Sequence, residues 1–225
     1  MAEPWFAAAR LLVVPPLRLW FAWHLEGLER IPHTGPVLVA CNHASYLDPL
    51  ANGYAILTAG RYPRFLAKQE LFDVPLLGRA LRGMGQIPVR RGTRDRGALE
   101  AAQRALVAGE VVVIYPEGTV TTRPDHLPMA GKTGAVRLSL ATGVPILPIA
   151  SWGTHPVWQK SGPGSLRPRR PIWIKVGTPI DLSDRRREAD DHDALVAMTA
   201  EVMEALTALV HDLRARYPRA WLEEG

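Results

Sequence analysis

Val37-Leu-Val-Ala-Cys41-Asn42-His43-Ala-Ser-Tyr-Leu-Asp48-Pro49 is the stretch from which the fold is read. Its first five residues are apolar, rich in β-branched side chains and of strand length. They stop at a polar cluster holding a histidine and a carboxylate. Asp48-Pro49 then opens a second apolar segment, Leu50 to Thr58, which predicts a helix with aspartate at its N-cap and proline at its first position. His43 therefore falls just past a strand end, at the mouth of a strand–loop–helix unit, where open α/β sheets bind ligands. In one continuous helix, residues five apart point about 140° away from each other. A loop instead lets Asp48 turn back to a ring nitrogen of His43 and fix its tautomer, leaving the other nitrogen as a general base. On local grounds alone a plainer reading stands beside it: Asp48 as a helix cap, His43 as a polar strand-end residue.

Outward from this unit the chain alternates. Arg64-Phe-Leu-Ala-Lys68 reads as a strand, Leu71 to Leu81 as helical segments, and Gly85 to Arg91 as a short strand ending in charge. Asp95 to Ala108 is an amphipathic helix with Leu99, Ala102 and Leu106 on one face. Glu110-Val-Val-Val-Ile-Tyr115 is a buried strand that stops at Pro116-Glu117-Gly118-Thr119. Gly131 to Thr142 reads as helix, and Val144 to Ser151 and Ile172 to Val176 as strands. A long C-terminal helix begins at Asp190-Asp191 and ends at Pro218. The pattern predicts an α/β fold: a mixed, largely parallel central sheet flanked by helices.

The chain has 225 residues, 47% of them hydrophobic, which suits one α/β domain over 32–225 with a substantial core. One cysteine excludes a disulfide framework and points to a reducing compartment. The 27 basic and 22 acidic residues leave +5, concentrated between Arg61 and Arg96 and again from Lys160 to Arg187. Anionic substrates or an anionic surface are the natural partners. Residues 1–31 are very apolar but interrupted by Arg10, Pro15-Pro16 and Arg18. No apolar run there approaches the roughly 20 residues of a spanning helix. Two short helices broken at Pro15-Pro16, carrying Trp5, Trp20 and Trp23, suit a hairpin lying in a membrane interface. The alternative is that the hairpin packs on the domain's own core.

Three polar clusters follow three strand-like runs: Asn42-His43 with Asp48, Arg90-Arg91, and Glu117-Gly118-Thr119. In a parallel sheet these ends converge on one edge and share a crevice. The base would deprotonate a hydroxyl, the guanidinium groups would hold a phosphate, and free N–H groups of the glycine turn would donate to a developing oxyanion. That set implies acyl transfer to an alcohol carrying a phosphate.

His43-Ala-Ser-Tyr-Leu-Asp48 resembles the His-x4-Asp motif of the glycerolipid acyltransferases. Gly85-Gln-Ile-Pro-Val-Arg90-Arg91 resembles that family's second motif, Pro116-Glu117-Gly118-Thr119 its third and Val144-Pro-Ile-Leu-Pro148-Ile its fourth. Lys68-Gln-Glu-Leu-Phe72 and Lys132-Thr-Gly-Ala-Val-Arg137 also look like family blocks. The resemblance covers about Pro32 to Trp152, and four motifs in order make it specific. It implies that His43 is the base and Asp48 its orienting partner. The acyl group would pass from acyl-CoA or acyl carrier protein to the sn-2 hydroxyl of 1-acylglycerol 3-phosphate, with no acyl-enzyme. Arg91 and the Glu117-Gly118-Thr119 turn would hold the glycerol phosphate, with Arg90 and Lys68 as further substrate-binding residues. No cofactor is implied. The expected site of action is the cytoplasmic face of the cell membrane, with the protein peripheral or monotopic. Two departures stand out: Val120 where the third motif commonly continues with arginine or serine, and Pro88 and Arg90 where the second usually has an aromatic and an acidic residue. They leave another lysolipid, or glycerol 3-phosphate, open as acceptor.

Competing chemistries fit less well. Cys41 ends an apolar strand, where a thiol is usually packing. Ser45 sits in no Gly-x-Ser-x-Gly elbow. Gly131-Lys132-Thr133 imitates the end of a phosphate-binding loop, but His126 stands where its first glycine belongs. The remaining histidines are scattered, so no metal is expected, and no nucleic-acid recognition motif accompanies the basic stretches. A basic membrane-binding module without catalysis would explain the N-terminus and Arg185-Arg186-Arg187. It leaves His43, Asp48 and Glu117 at successive strand ends unexplained.

Overall fold

A computed structural model describes residues 3–90, 95–159 and 164–221. Seven strands form one sheet: β1 (Ala22–Glu26), β2 (Val37–Cys41), β3 (Pro63–Lys68), β4 (Ile87–Val89), β5 (Val111–Ile114), β6 (Ile146–Trp152) and β7 (Pro171–Val176). Their order is β1-β7-β6-β2-β5-β3-β4. β6, β2, β5, β3 and β4 run parallel to one another. β7 is antiparallel to β6 and parallel to β1, so only that edge reverses. The sheet is mixed and mostly parallel, as the alternation predicts. In the centre Val37 pairs with Val111 and Val39 with Leu147, and all five residues of β2 are buried.

Two faces of β2 feed two cores. Leu38 and Ala40 pack with Ala102 and Leu106 of α5 (Arg96–Val107), Val136 and Leu140 of α6 (Gly134–Thr142), and Met198 and Leu206 of α7 (His192–Arg216). Val37, Val39 and Cys41 pack on the other side with Ala51, Ala55 and Ile56 of α3 (Asp48–Thr58). The chain leaves β2 through α3 toward β3, and leaves β5 through α6 toward β6 on the opposite face. The ends of β2 and β5 therefore flank the point where the winding reverses, which opens a crevice there.

α7 passes the length and composition of a membrane span, yet its three- and four-residue steps Leu195, Met198, Val202, Leu206, Val210 and Leu213 are buried. Asp191 caps it, accepting from the N–H groups of Asp193 and Ala194.

Several local expectations change. The N-terminal helices, α1 (Glu3–Leu12) and α2 (Val14–Trp20), part at Val13, and Pro15-Pro16 sit in the first turn of α2. Proline is tolerated there because those N–H groups have no helical partner. Ala22–Glu26, read as part of the helical segment, is strand β1. Asp48 is not the cap of α3: the helix begins with it, Leu47 occupies the cap position, and the carboxylate points elsewhere. The charge run around Arg185 is a 3-10 helix, Ser183–Glu188, in which Arg185 pairs with Glu188 and Glu201 and Arg186 donates to the carbonyl of Leu140. α4 (Leu77–Gly83) is preceded by a 3-10 turn at Gln69–Phe72.

Candidate active site

β2 runs straight into the site. The His43 Nδ1 lies 3.0 Å from Oδ2 of Asp48, which also accepts the N–H of Ser45 at 2.7 Å. The other oxygen, Oδ1, accepts from the hydroxyls of Thr154 (2.6 Å) and Ser151 (3.2 Å). Asp48 is fully buried, and these donors replace the water it gave up. With the Nδ1–H committed to a carboxylate, Nε2 is the nitrogen left to act as a base. The ring is held flat by Tyr115, stacked on it at 4.2 Å, and Tyr115 in turn accepts a hydrogen bond from Asn52 and stacks on Phe65. Asn42 and Ser151 exchange two hydrogen bonds and lock the end of β2 to β6.

The turn after β5 has a different role from the one its sequence suggests. Glu117 is buried, and its two oxygens accept the N–H groups of His43 (2.8 Å) and Met129 (2.9 Å). It braces the histidine's backbone, with both oxygens engaged by backbone N–H groups. Burial pushes its pKa up to about 7, against the pull of those two N–H donors and of His43. The Gly118 N–H is likewise engaged, by the carbonyl of Tyr115, and so is not free for an oxyanion. Gly118 has φ +72°, and a Cβ there would lie 2.7 Å from Nζ of Lys132. Lys132 therefore lies over this turn, and glycine is required for both reasons. Thr119 is half-buried beside it, and Val120, in the position of the absent arginine, is 2% exposed and part of the interior.

A cavity of about 500 Å³ adjoins the turn, lined by Tyr115, Gly118 and Lys132. Its floor is apolar, with Leu66, Val89, Leu99 and Ile114, and its rim carries Arg90, Arg96 and Arg137 beside Asp95. Arg90 thus lines the cavity. Lys68, at the end of β3, pairs with Glu70 at the surface and does not line the cavity. Arg91 lies outside the described residues. Cys41 is fully buried, and burial, with Asp48 nearby, pushes its thiol well above its ordinary pKa, so it is not a nucleophile. Among the described residues no group of three or more metal-ligating side chains occurs.

Ser151, Thr154, Tyr115 and Asn52 were not singled out from the sequence. Ser151 and Tyr115 close strand-like runs, and that signal alone could have drawn attention to them. Nothing local marks Thr154 or Asn52, which reach the site only through the fold.

Residues 22–152 match the model of the family described as Acyltransferase, more than half of the chain, and the chain belongs to that family. It is 31% identical over 146 residues to a chloroplastic 1-acyl-sn-glycerol-3-phosphate acyltransferase of Brassica napus, covering 63% of this chain and 40% of the relative. The chain thus spans about two fifths of the length of that plant relative. The 1-acyl-sn-glycerol-3-phosphate acyltransferase of Bacillus subtilis is 25% identical over 185 residues, 82% of this chain and 86% of the relative. Among solved structures, the 1-acyl-sn-glycerophosphate acyltransferase PlsC of Thermotoga maritima superposes with a TM-score of 0.67 at 26% identity, covering 95% of this chain and 85% of that one.

Proposed function

We propose that the protein transfers a fatty acyl group from acyl-CoA or acyl carrier protein to the sn-2 hydroxyl of 1-acylglycerol 3-phosphate, giving phosphatidate. The observation that carries this reading is the His43–Asp48 pair at the switch point, next to a cavity with a cationic rim. Nε2 of His43 takes the hydroxyl proton as that oxygen attacks the thioester carbon. The new C–O bond forms, the tetrahedral species expels the thiolate as the C–S bond breaks, and the proton passes from His43 to sulfur. No acyl-enzyme is needed, in keeping with a buried Cys41. Asp48 holds the ring and stabilises the imidazolium. General-base catalysis accounts for about 10²–10⁴ in rate, so positioning of the two substrates supplies much of the rest.

The acceptor's phosphate is assigned to the cationic rim, Arg90, Lys132 over Gly118, and Arg137, with Thr119 beside that turn and Lys68 as an outer contact; Arg91, the next residue in sequence, is proposed as a further phosphate-binding group. Because Val120 is interior, the cation usual in the third motif is supplied here by Lys132 and Arg137. That substitution is also what favours the second reading, another lysolipid or glycerol 3-phosphate as acceptor. The exposed hairpin, with Leu11, Leu12, Leu19 and Trp20 in water, supports peripheral or monotopic attachment to a membrane, which we assign to the cytoplasmic face of the cell membrane.

The test is release of free CoA from a long-chain acyl-CoA in detergent, with and without 1-acylglycerol 3-phosphate, for wild type and His43→Ala. Acceptor-dependent release that vanishes in the variant is expected. Release without acceptor would instead mean a thioesterase, and no release with any lysolipid would sink the assignment.

A further inference from the structure

Four apolar side chains stand in water together between β3 and α4: Leu71, Val74, Leu76 and Leu77, which are 41%, 46%, 76% and 42% exposed. Leu76 is the centre of the group. Its φ of 64° and ψ of −54°, with the N–H of Leu77 donating to the carbonyl of Pro75 at 2.7 Å, make it the middle residue of a γ-turn of the rarer, strained hand. Glycine would take this conformation freely; leucine does so under strain and with its side chain outward. The base of the turn is stiff. Phe72 is buried and its carbonyl accepts from Arg82 at 2.8 Å. A Cβ on Gly78 would lie 2.0 Å from that same carbonyl oxygen, so the two segments are in tight contact. The result is a rigid, apolar wedge.

What the wedge meets is indicated by its neighbours. Trp5 of α1 lies on Gly83 of α4, where a Cβ would come within 2.4 Å of the indole, and Phe6 stacks on Tyr62 at 4.7 Å. The hairpin and the wedge are therefore parts of one flank. In sequence, the described segments 4–20 and 68–84 that make this flank carry Arg10, Arg18, Lys68, Arg79 and Arg82 against Glu70 and Asp73; Lys68 pairs with Glu70, leaving four cations to one carboxylate. Basic charge around protruding apolar side chains is complementary to anionic headgroups over hydrocarbon.

We propose that the 71–77 turn is a second membrane-insertion element, which drives Leu76 and Leu77 into an anionic leaflet beside the α1–α2 hairpin. It rests on the acyltransferase reading only for its purpose, since a lipid acceptor is met in the bilayer; insertion itself needs no catalysis.

The experiment is flotation of the full chain with phosphatidylcholine vesicles, with and without phosphatidylglycerol, for wild type, Leu76→Gly and Val74→Ser. Leu76→Gly keeps the γ-turn and removes its side chain, so its thermal midpoint should equal or exceed that of wild type. Its partition onto phosphatidylglycerol vesicles should nevertheless fall about tenfold or more, the scale of one lost leucine burial. Val74→Ser should fall less. Turnover of a vesicle-borne acceptor should drop in step, and turnover of a short-chain acceptor dissolved as monomers should not. Undiminished flotation of Leu76→Gly would overturn the proposal. So would an equal loss on the dissolved acceptor, which would place the turn in the active site, or wild type that ignores vesicles and binds acyl carrier protein through Leu76. Failure of the acyltransferase reading shows in the dissolved-acceptor assay alone and leaves the flotation result intact.

Discussion

Thr154 donates to Oδ1 of a fully buried Asp48 at 2.6 Å, the shorter of the two hydroxyl contacts that oxygen receives. Thr154→Val keeps the shape and removes the donor. Hydrogen bonds to charged groups are worth about 1.5–3 kcal/mol, so kcat should fall about tenfold to hundredfold with little change in the acceptor's KM. Steady-state kinetics on the dissolved acceptor would check it, and an unchanged kcat would mean Asp48 needs no help in orienting His43. Glu117 gives a pH prediction. Its folded pKa of about 7 lies above its ordinary value, so the folded protein holds that proton more tightly than the unfolded chain does. Its contribution to stability therefore declines as pH rises from about 4.5 to about 7, by up to about 3 kcal/mol, and is level above that. Glu117→Gln should flatten this part of the curve of thermal midpoint against pH. It should also lower kcat across the range, because the amide sets an NH2 donor against one of the two N–H groups, His43 or Met129, that the two carboxylate oxygens accept.

At the level of elements, α7 is the helix whose composition and packing point in different directions. It has the length and hydropathy of a membrane span, yet Met198 is fully buried in the core that includes Leu38 and Leu106. Met198→Ala should cost about 2–5 kcal/mol in chemical denaturation. Val196→Ala, at a residue 49% exposed on the same helix, should stay within about 0.5 kcal/mol. Equal effects at the two positions would argue against α7 as a core helix. Its extent was legible because apolar steps of three and four run from Leu195 to Leu213 and an aspartate precedes them. β1 was not read as a strand: Trp23-His-Leu25-Glu26 alternates apolar and polar over only four residues and directly follows the helical segment. It becomes a strand because β7 offers an unpaired edge to it, a cause that lies nearly 150 residues away.

At the scale of the whole molecule, the proposed attachment to anionic vesicles through the hairpin and the 71–77 turn should weaken with added salt. Arg10, Arg18, Arg79 and Arg82 each contribute on the order of 1 kcal/mol near such a surface, and screening reduces that share while leaving the apolar one. Flotation over a salt series would measure it; salt-independent binding would make the charge incidental. Tertiary packing also holds the hairpin: Trp23 donates to the carbonyl of Leu17, and the backbone of Arg169 donates to that of Trp20. The alternative of packing on the domain's own core is thus met in part, since Phe6 and Phe21 are buried; Leu11, Leu12 and Leu19 stay exposed, and the membrane reading of the hairpin rests on the flotation experiment.

By itself the sequence determined the α/β class, most of the strands and helices, and His43 and Asp48 as the candidate pair. Strand-length apolar runs, 3.6-residue periodicity and a motif six residues long are all local signals. Only the tertiary structure decided what surrounds that pair. Asp48 turns from helix cap to acceptor of two hydroxyls because Ser151, near the end of β6, and Thr154, just past it, arrive from more than 100 residues on. Glu117 becomes a brace because the end of β5 is brought beside the backbone of His43, and Lys132 reaches the crevice because Gly118 has no side chain to exclude it. A buried polar group is satisfied by whichever partners the fold delivers, and those contacts are long-range in the chain.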